Sequence, residues 1–227
     1  MKTGSPEAAR AQAGFTLAEL LIAVAVSLVL MAVTSTLLAG SFNTRTREDQ
    51  RTAALADAQR ALNIMSREIA NSGFGLTDNG IVAADSNAGT IRIRANLNAF
   101  DSETSSGTVS DADEDVRYAL QQGGGQSYVL RLDVNTGAQT TVFANRVDSL
   151  VIRYFADKVS YTPAECDVAL PAGVAEVAQK ADAKYLVMSV CVTLPAVGRP
   201  GSPGYQMPSR VQLTSDVTIR NRSLAQY

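Results

Sequence analysis

The 227 residues carry a formal charge of -2, enough chain for one ordinary domain with an appendage and too little charge to argue for an acidic or basic partner. Histidine and tryptophan are both absent, which excludes a Ser-His-Asp triad and removes the commonest general base and a frequent metal ligand. The two cysteines, Cys166 and Cys191, suggest one disulfide if the chain is exported and two free thiols if it is cytosolic.

Residues 1–14, MKTGSPEAARAQAG, are small and polar, with Lys2 and Arg10 against Glu7. The run FTLAELLIAVAVSLVLMAVTSTLLAGSF follows, and from Leu20 to Thr44 there is no charge. At about 1.5 Å per residue, residues 15–42 as a helix cover the roughly 30 Å of a bilayer's hydrocarbon core. The positive segment before the run keeps to the cytoplasm and places the bulk of the chain outside. A secretory signal has a shorter apolar region, about 7–15 residues, ending in a small-residue cleavage site. A plain anchor explains the length but not Glu19, because a carboxylate at the bilayer centre costs about 2.5–3.5 kcal/mol on insertion scales and marks a functional position.

No proline lies between Pro6 and Pro163, so the helix is expected to continue past the membrane surface. In residues 43–72 the apolar positions Leu55, Ala58, Leu62, Met65 and Ile69 are spaced 3, 4, 3, 4, with Arg51, Asp57, Arg60, Arg67 and Glu68 on other faces. Gly73 after Asn71 and Ser72 is a stop signal, which predicts one helix from about Phe15 to about Ser72. The stripe is read as packing under the chain's own sheet, since two heptads are short for an autonomous coiled coil. Gly40 is the expected weak point of the helix.

Beyond Gly73 the period changes to two. Strands are predicted at Thr90–Leu97, Val116–Leu120, Tyr128–Val134, Thr140–Ala144, Leu150–Phe155, Tyr185–Leu194 and Val211–Arg220, with a turn at Asn135-Thr136-Gly137. Short strands joined by turns imply an antiparallel sheet laid on the helix stripe, an α+β fold. A bond between Cys166 and Cys191 would close a loop of about 25 residues, valued at about 3.5 kcal/mol by chain entropy, and would tie the otherwise loose segment 157–184 to the sheet.

Asp111, Asp113 and Asp115, with Glu114 between them and Asp101 and Glu103 nearby, have an oxygen-ligand spacing that suits Ca²⁺. The Gly and distal Glu of an EF-hand are missing, so a solvated acidic loop is the plainer reading, and no other cofactor is expected. The run Gly123-Gly124-Gly125 lacks the Lys-Ser/Thr of a phosphate loop and reads as a hairpin connection. Arg92 and Arg94 share a strand face, a slight footprint for nucleic acid that a solvated face explains as well. No local motif supports a Ser-Lys dyad, and no enzyme is expected.

The segment Gly14-Phe15-Thr16-Leu17-Ala18-Glu19, after a short basic leader, resembles the type IV prepilin signature of Gly, cleavage, Phe, then Glu as fifth residue. The resemblance implies that a prepilin peptidase cuts between Gly14 and Phe15 and methylates the new Phe15 amine, and that Glu19 pairs with the N-terminal amine of a neighbouring subunit. It also implies a head whose sheet covers the second half of the helix, often stapled by a disulfide in its C-terminal region. Among such proteins the chain is most similar to minor pilins of the PilW type, on the helix end RALNIMSREIANSGFG, the stretch Asp113 to Tyr118, the segment Arg146 to Tyr154 and the Arg-Asn-Arg at Arg220 to Arg222.

The expected organisation is a leader at 1–14, a membrane and filament-core half at 15–42, an amphipathic half at 43–72 and a β-rich head at 73–227. The expected role is a structural minor subunit of a type IV pilus in a priming or tip complex. Its partners would be other major and minor pilins, prepilin peptidase and an inner-membrane assembly platform. Its place would be the bacterial inner membrane with the head in the periplasm, then the pilus surface. A minor pseudopilin of type II secretion and a membrane-anchored periplasmic binding module or enzyme remain as alternatives.

Overall fold

The structure, a computed structural model, describes residues 15–100, 108–123, 126–141 and 147–221. The leader with Gly14, the acidic pair Asp101 and Glu103, Gly124 and Gly125, residues 142–146 and Arg222 lie outside the described residues. Among the described residues the first element is one α-helix, α1 (Leu17–Ala70). It is continuous through Gly40. Its burial divides it in two: no apolar side chain before Ala54 is buried, while Ala54, Ala58, Ala61, Leu62, Met65 and Ile69 are. The expected stripe therefore exists, except that Leu55 is only half-buried and the alanines Ala54 and Ala61 share the seam. Alanine there lets strands approach the helix closely. The helix ends at Asn71, whose amide donates to the carbonyls of Arg67 and Glu68, and Gly73 follows with φ 79°.

The strands are β1 (Thr90–Arg94), β2 (Asp115–Gly123), β3 (Gln126–Asp133), β4 (Gln139–Thr141), β5 (Ser149–Phe155), β6 (Thr162–Ala164), β7 (Asp167–Ala169), β8 (Tyr185–Leu194) and β9 (Ser209–Thr218). Instead of one sheet they form a four-stranded meander β1-β2-β3-β4, a three-stranded sheet β5-β8-β9 and a small hairpin β6-β7, with every pairing antiparallel. The meander has its own helix contact at Glu68, and its apolar face joins the same core, because Ile91, Ile93, Val116, Tyr118 and Val129 pack in one cluster with the helix seam. Helix α1 lies chiefly against β9 and β8.

Strand β8 is the centre of the molecule. Nine of its ten residues are buried, so its two faces are both covered and alternation fades. Leu186, Met188, Val190 and Val192 face the helix-side core. Tyr185 and Val187 face the other way, into a second cluster with Phe155 and Val168. The cover over that outer face is the β6-β7 hairpin. The segment 157–184 is thus not loose: it holds this hairpin and a 3₁₀ turn at Lys180–Asp182. Three-residue strands, one with Pro163 at its centre and the other followed by Pro171, carry too little periodicity to be read from sequence.

Candidate functional site: the exposed start of the long helix

The first turn of a helix leaves amide donors without intrahelical acceptors. Here the sequence supplies a capping box. The Thr16 hydroxyl accepts from the Glu19 amide at 3.2 Å, while the Glu19 carboxylate accepts from the Thr16 amide and hydroxyl, both at 3.1 Å. The negative charge also sits where the helix dipole is positive. Glu19 therefore serves its own helix end. Phe15, immediately before the cap, is 86% exposed.

From Leu17 to Phe42 the large apolar side chains are all exposed and radiate on every side of the helix. Among the described residues this is the one helix long and apolar enough to cross a membrane, and its most apolar window is wholly exposed. The hydroxyls of Thr34, Ser35 and Thr36 donate back to the carbonyls of Leu30, Met31 and Val33, so these three polar side chains are satisfied within the helix. Such a cylinder is stable in lipid or among like helices and exposes too much apolar surface for water.

The chain carries a prokaryotic N-terminal methylation motif. The family model of that description matches residues 9–35, which include Gly14, Phe15 and Glu19. Among solved structures the chain is similar to the type IV-like pilin TTHA1219 from Thermus thermophilus, with 13% identity and a TM-score of 0.44 over 75% of this chain and 98% of that one. The two share too little for function to be carried between them. No curated protein matches the chain.

The head does not assemble the candidate Ca²⁺ ligands. Asp115 is the first residue of β2 and is buried. Its carboxylate receives Arg92 Nε at 2.7 Å and Arg94 Nε at 2.8 Å. Burial pushes its pKa up, but the bonds from Arg92 and then Arg94 outweigh that and hold it below the usual carboxylate range. Asp113 pairs with Arg131 at 2.8 Å, and Asp111 accepts from the Asn98 amide at 2.7 Å. Glu114 is buried and accepts from the Leu97 and Asp111 backbone amides. Asp133 accepts from the amides of Asp113 and Asn135. The acidic loop is thus a set of carboxylates satisfied by guanidiniums, backbone amides and, at Asp111, the Asn98 side-chain amide. Among the described residues no group of three or more acidic or cysteine side chains is gathered as metal ligands would be.

The same contacts dispose of the arginine face. Arg92 forks onto Asp115 and also reaches Asp85, and these bonds raise its pKa further. The sequence pattern places Glu68 off the apolar stripe, and there it accepts from the Tyr118 hydroxyl at 2.6 Å and from Arg131 at 3.1 Å. Nothing in the sequence signals this, because the partners are 50 and 63 residues away.

Cys166 and Cys191 are joined by a disulfide. Cys191 lies in the outer face of β8, and Cys166 sits at the tip of the β6-β7 hairpin with φ 69°. Beside the bond, Gln212 on β9 accepts from the Cys166 amide at 3.1 Å and donates to the Asp167 carbonyl and the Ser189 hydroxyl. Arg153 on β5 binds Asp167 and Glu176, the latter at 2.7 Å. Covalent, polar and apolar contacts therefore all hold this cover to the sheet.

Proposed function

We propose that the chain is a structural subunit of a type IV pilus or kindred filament, inserted in the bacterial inner membrane through residues 15–42 and later packed into the filament by that same segment. The carrying observation is the apolar half of α1, exposed on all sides and starting at a methylation motif. In this reading prepilin peptidase cleaves after Gly14 and methylates Phe15, the head of residues 73–227 faces the periplasm, and other pilins and an assembly platform complete the machine. The finer reading is a minor pilin of the PilW kind in a priming or tip complex. The work is done by assembly energetics, and the chain catalyses nothing. Packing of apolar helices against one another offsets their extraction from lipid. Glu19 sets register, because its charge in a low-dielectric bundle needs a neighbour's amine.

Two measurements test this. Mass spectrometry of the mature N-terminus is expected to find methylated Phe15, and an N-terminus beginning at Met1 would remove the reading. The Glu19→Gln variant separates charge pairing from capping, since an amide oxygen can still accept from Thr16 but carries no charge. Glu19→Gln is expected to insert and be cleaved normally and to fail in assembly as Glu19→Val does. Normal assembly of Glu19→Gln beside failure of Glu19→Val would assign Glu19 to the cap alone.

A further inference from the structure

The loop 195–208, between β8 and β9, folds down along the helix below the rest of the head. Gly204 abuts Gly40 so closely that a Cβ on Gly204 would lie 2.3 Å from the Gly40 Cα. Gly198 similarly faces Asn43. Arg47 is 7% exposed and donates through Nη2 to the Gln206 and Met207 carbonyls, while its Nη1 is buried without a hydrogen-bond partner. No carboxylate pairs with Arg47 among the described residues. Above this seat lies a groove of about 510 Å³ lined by Arg47, Arg51, Arg210, Met207 and Gln212, with Glu48 as its only acidic side chain. Arg51 and Arg210 are exposed and, among the described residues, also lack ion-pair partners.

We infer that this groove seats the phosphate of an anionic lipid headgroup and that loop 195–208 rests on the bilayer surface. The inference depends on the reading that residues 15–42 span the membrane. Gly40 is two residues inside that run, so with the run tilted to fit the core a loop touching its backbone reaches the edge of the hydrocarbon. Arg47 stands about 7.5 Å beyond Phe42 along the helix, and the headgroup layer is about 5–8 Å deep on each side. The one uncompensated buried guanidinium of this region is therefore held at headgroup height. Arg51 and Arg210 lie on the water side and can reach down, their stems along the groove. Met207, 72% exposed, supplies an apolar contact at the same level. Three cations against one carboxylate favour a phosphate, and partner-free charge near the membrane surface is drawn to anionic lipid.

The absence of tryptophan makes the test direct. Met207→Trp and Leu28→Trp each place a single indole in the full chain, reconstituted in phosphatidylcholine vesicles with or without phosphatidylglycerol. Leu28→Trp is expected to be quenched by a mid-chain spin label in both. Met207→Trp is expected to be quenched by a headgroup spin label, more strongly with phosphatidylglycerol. Adding Arg51→Gln or Arg210→Gln should lower the phosphatidylglycerol enrichment at that indole about fivefold each. Quenching of Leu28→Trp without any of Met207→Trp would overturn the headgroup site and leave the span intact. A Leu28→Trp indole that escapes the mid-chain label would overturn the span and the inference together. Equal quenching of Met207→Trp in both vesicles, or its loss on adding inorganic phosphate, would also overturn the headgroup site, the latter in favour of a soluble anion.

Discussion

At Asp115 one carboxylate answers two arginines, and the molecule's acid response follows from such residues. Asp115, Asp133, Asp167 and Glu176 all have depressed pKa values. For Asp115, Asp133 and Glu176 burial works upward and is outweighed by donors, while for Asp167 the Arg153 bond is itself the largest effect. A depressed folded pKa contributes stability above the unfolded value, near pH 4, and that stability is lost as pH falls through the folded value. The head is therefore expected to lose stability progressively below about pH 4, read as a falling urea midpoint. Asp115→Asn should cost about 2 kcal/mol at pH 7 and flatten that decline. The cost is below the roughly 3–5 kcal/mol of a fully buried pair because Arg92 and Arg94 are 19% and 40% exposed. An unchanged acid slope in Asp115→Asn would remove Asp115 from this account. Sequence reading found the arginines and the acids separately and could not join them. Spacing along one strand shows which side chains share a face, but the register Arg94↔Asp115 that pairs two strands is set by the whole sheet.

Among the elements, those with strong period were legible and those held by tertiary cover were not. The long helix was visible from its apolar run, its 3-4 stripe and Gly73, and β1, β2, β3 and β5 from alternation or turn chemistry. Strand β8 was visible by its valines, although its two-sided burial was not. The β6-β7 hairpin escaped because its stability comes from what it covers. Its cover includes Val168 in the outer cluster, the Gln212 bonds and the Cys166–Cys191 link. Replacing both cysteines with alanine is expected to cost at most about 3.5 kcal/mol. The loss should be local first. Hydrogen exchange should open β6, β7 and the Lys180–Asp182 turn, while α1, β8 and β9 keep their protection. Uniform loss across β8 and β9 would mean that the hairpin is part of the main core rather than a cover. Gly40 belongs at this scale too. Its flexibility suggested a weak point, yet Gly204, whose own missing side chain permits the approach, packs against it, so the helix is braced at the position where its propensity is lowest.

The whole molecule divides at a place that burial marks better than composition does. The first buried side chain of α1 is Arg47 and the first buried apolar one is Ala54, so the core of the head owes nothing to residues before them. The first half instead has large apolar side chains such as Leu21, Leu30 and Leu37 at 61%, 60% and 69% exposure. A fragment of residues 39–227 keeps Gly40, Asn43 and Arg47 and with them the seat of loop 195–208. It is expected to be monomeric without detergent, whereas the full chain should aggregate in water because its exposed apolar surface has no partner. The fragment should form the Cys166–Cys191 bond and unfold within about 1 kcal/mol of the full chain in micelles, since residues 15–38 are exposed and none of them belongs to the head's core. The amides freed at its new helix start face water and are satisfied there. If the fragment were instead destabilised by several kcal/mol, residues before 39 would be stabilising the head directly, and the two halves of α1 would not be separable into a segment for lipid or filament and a segment for the head.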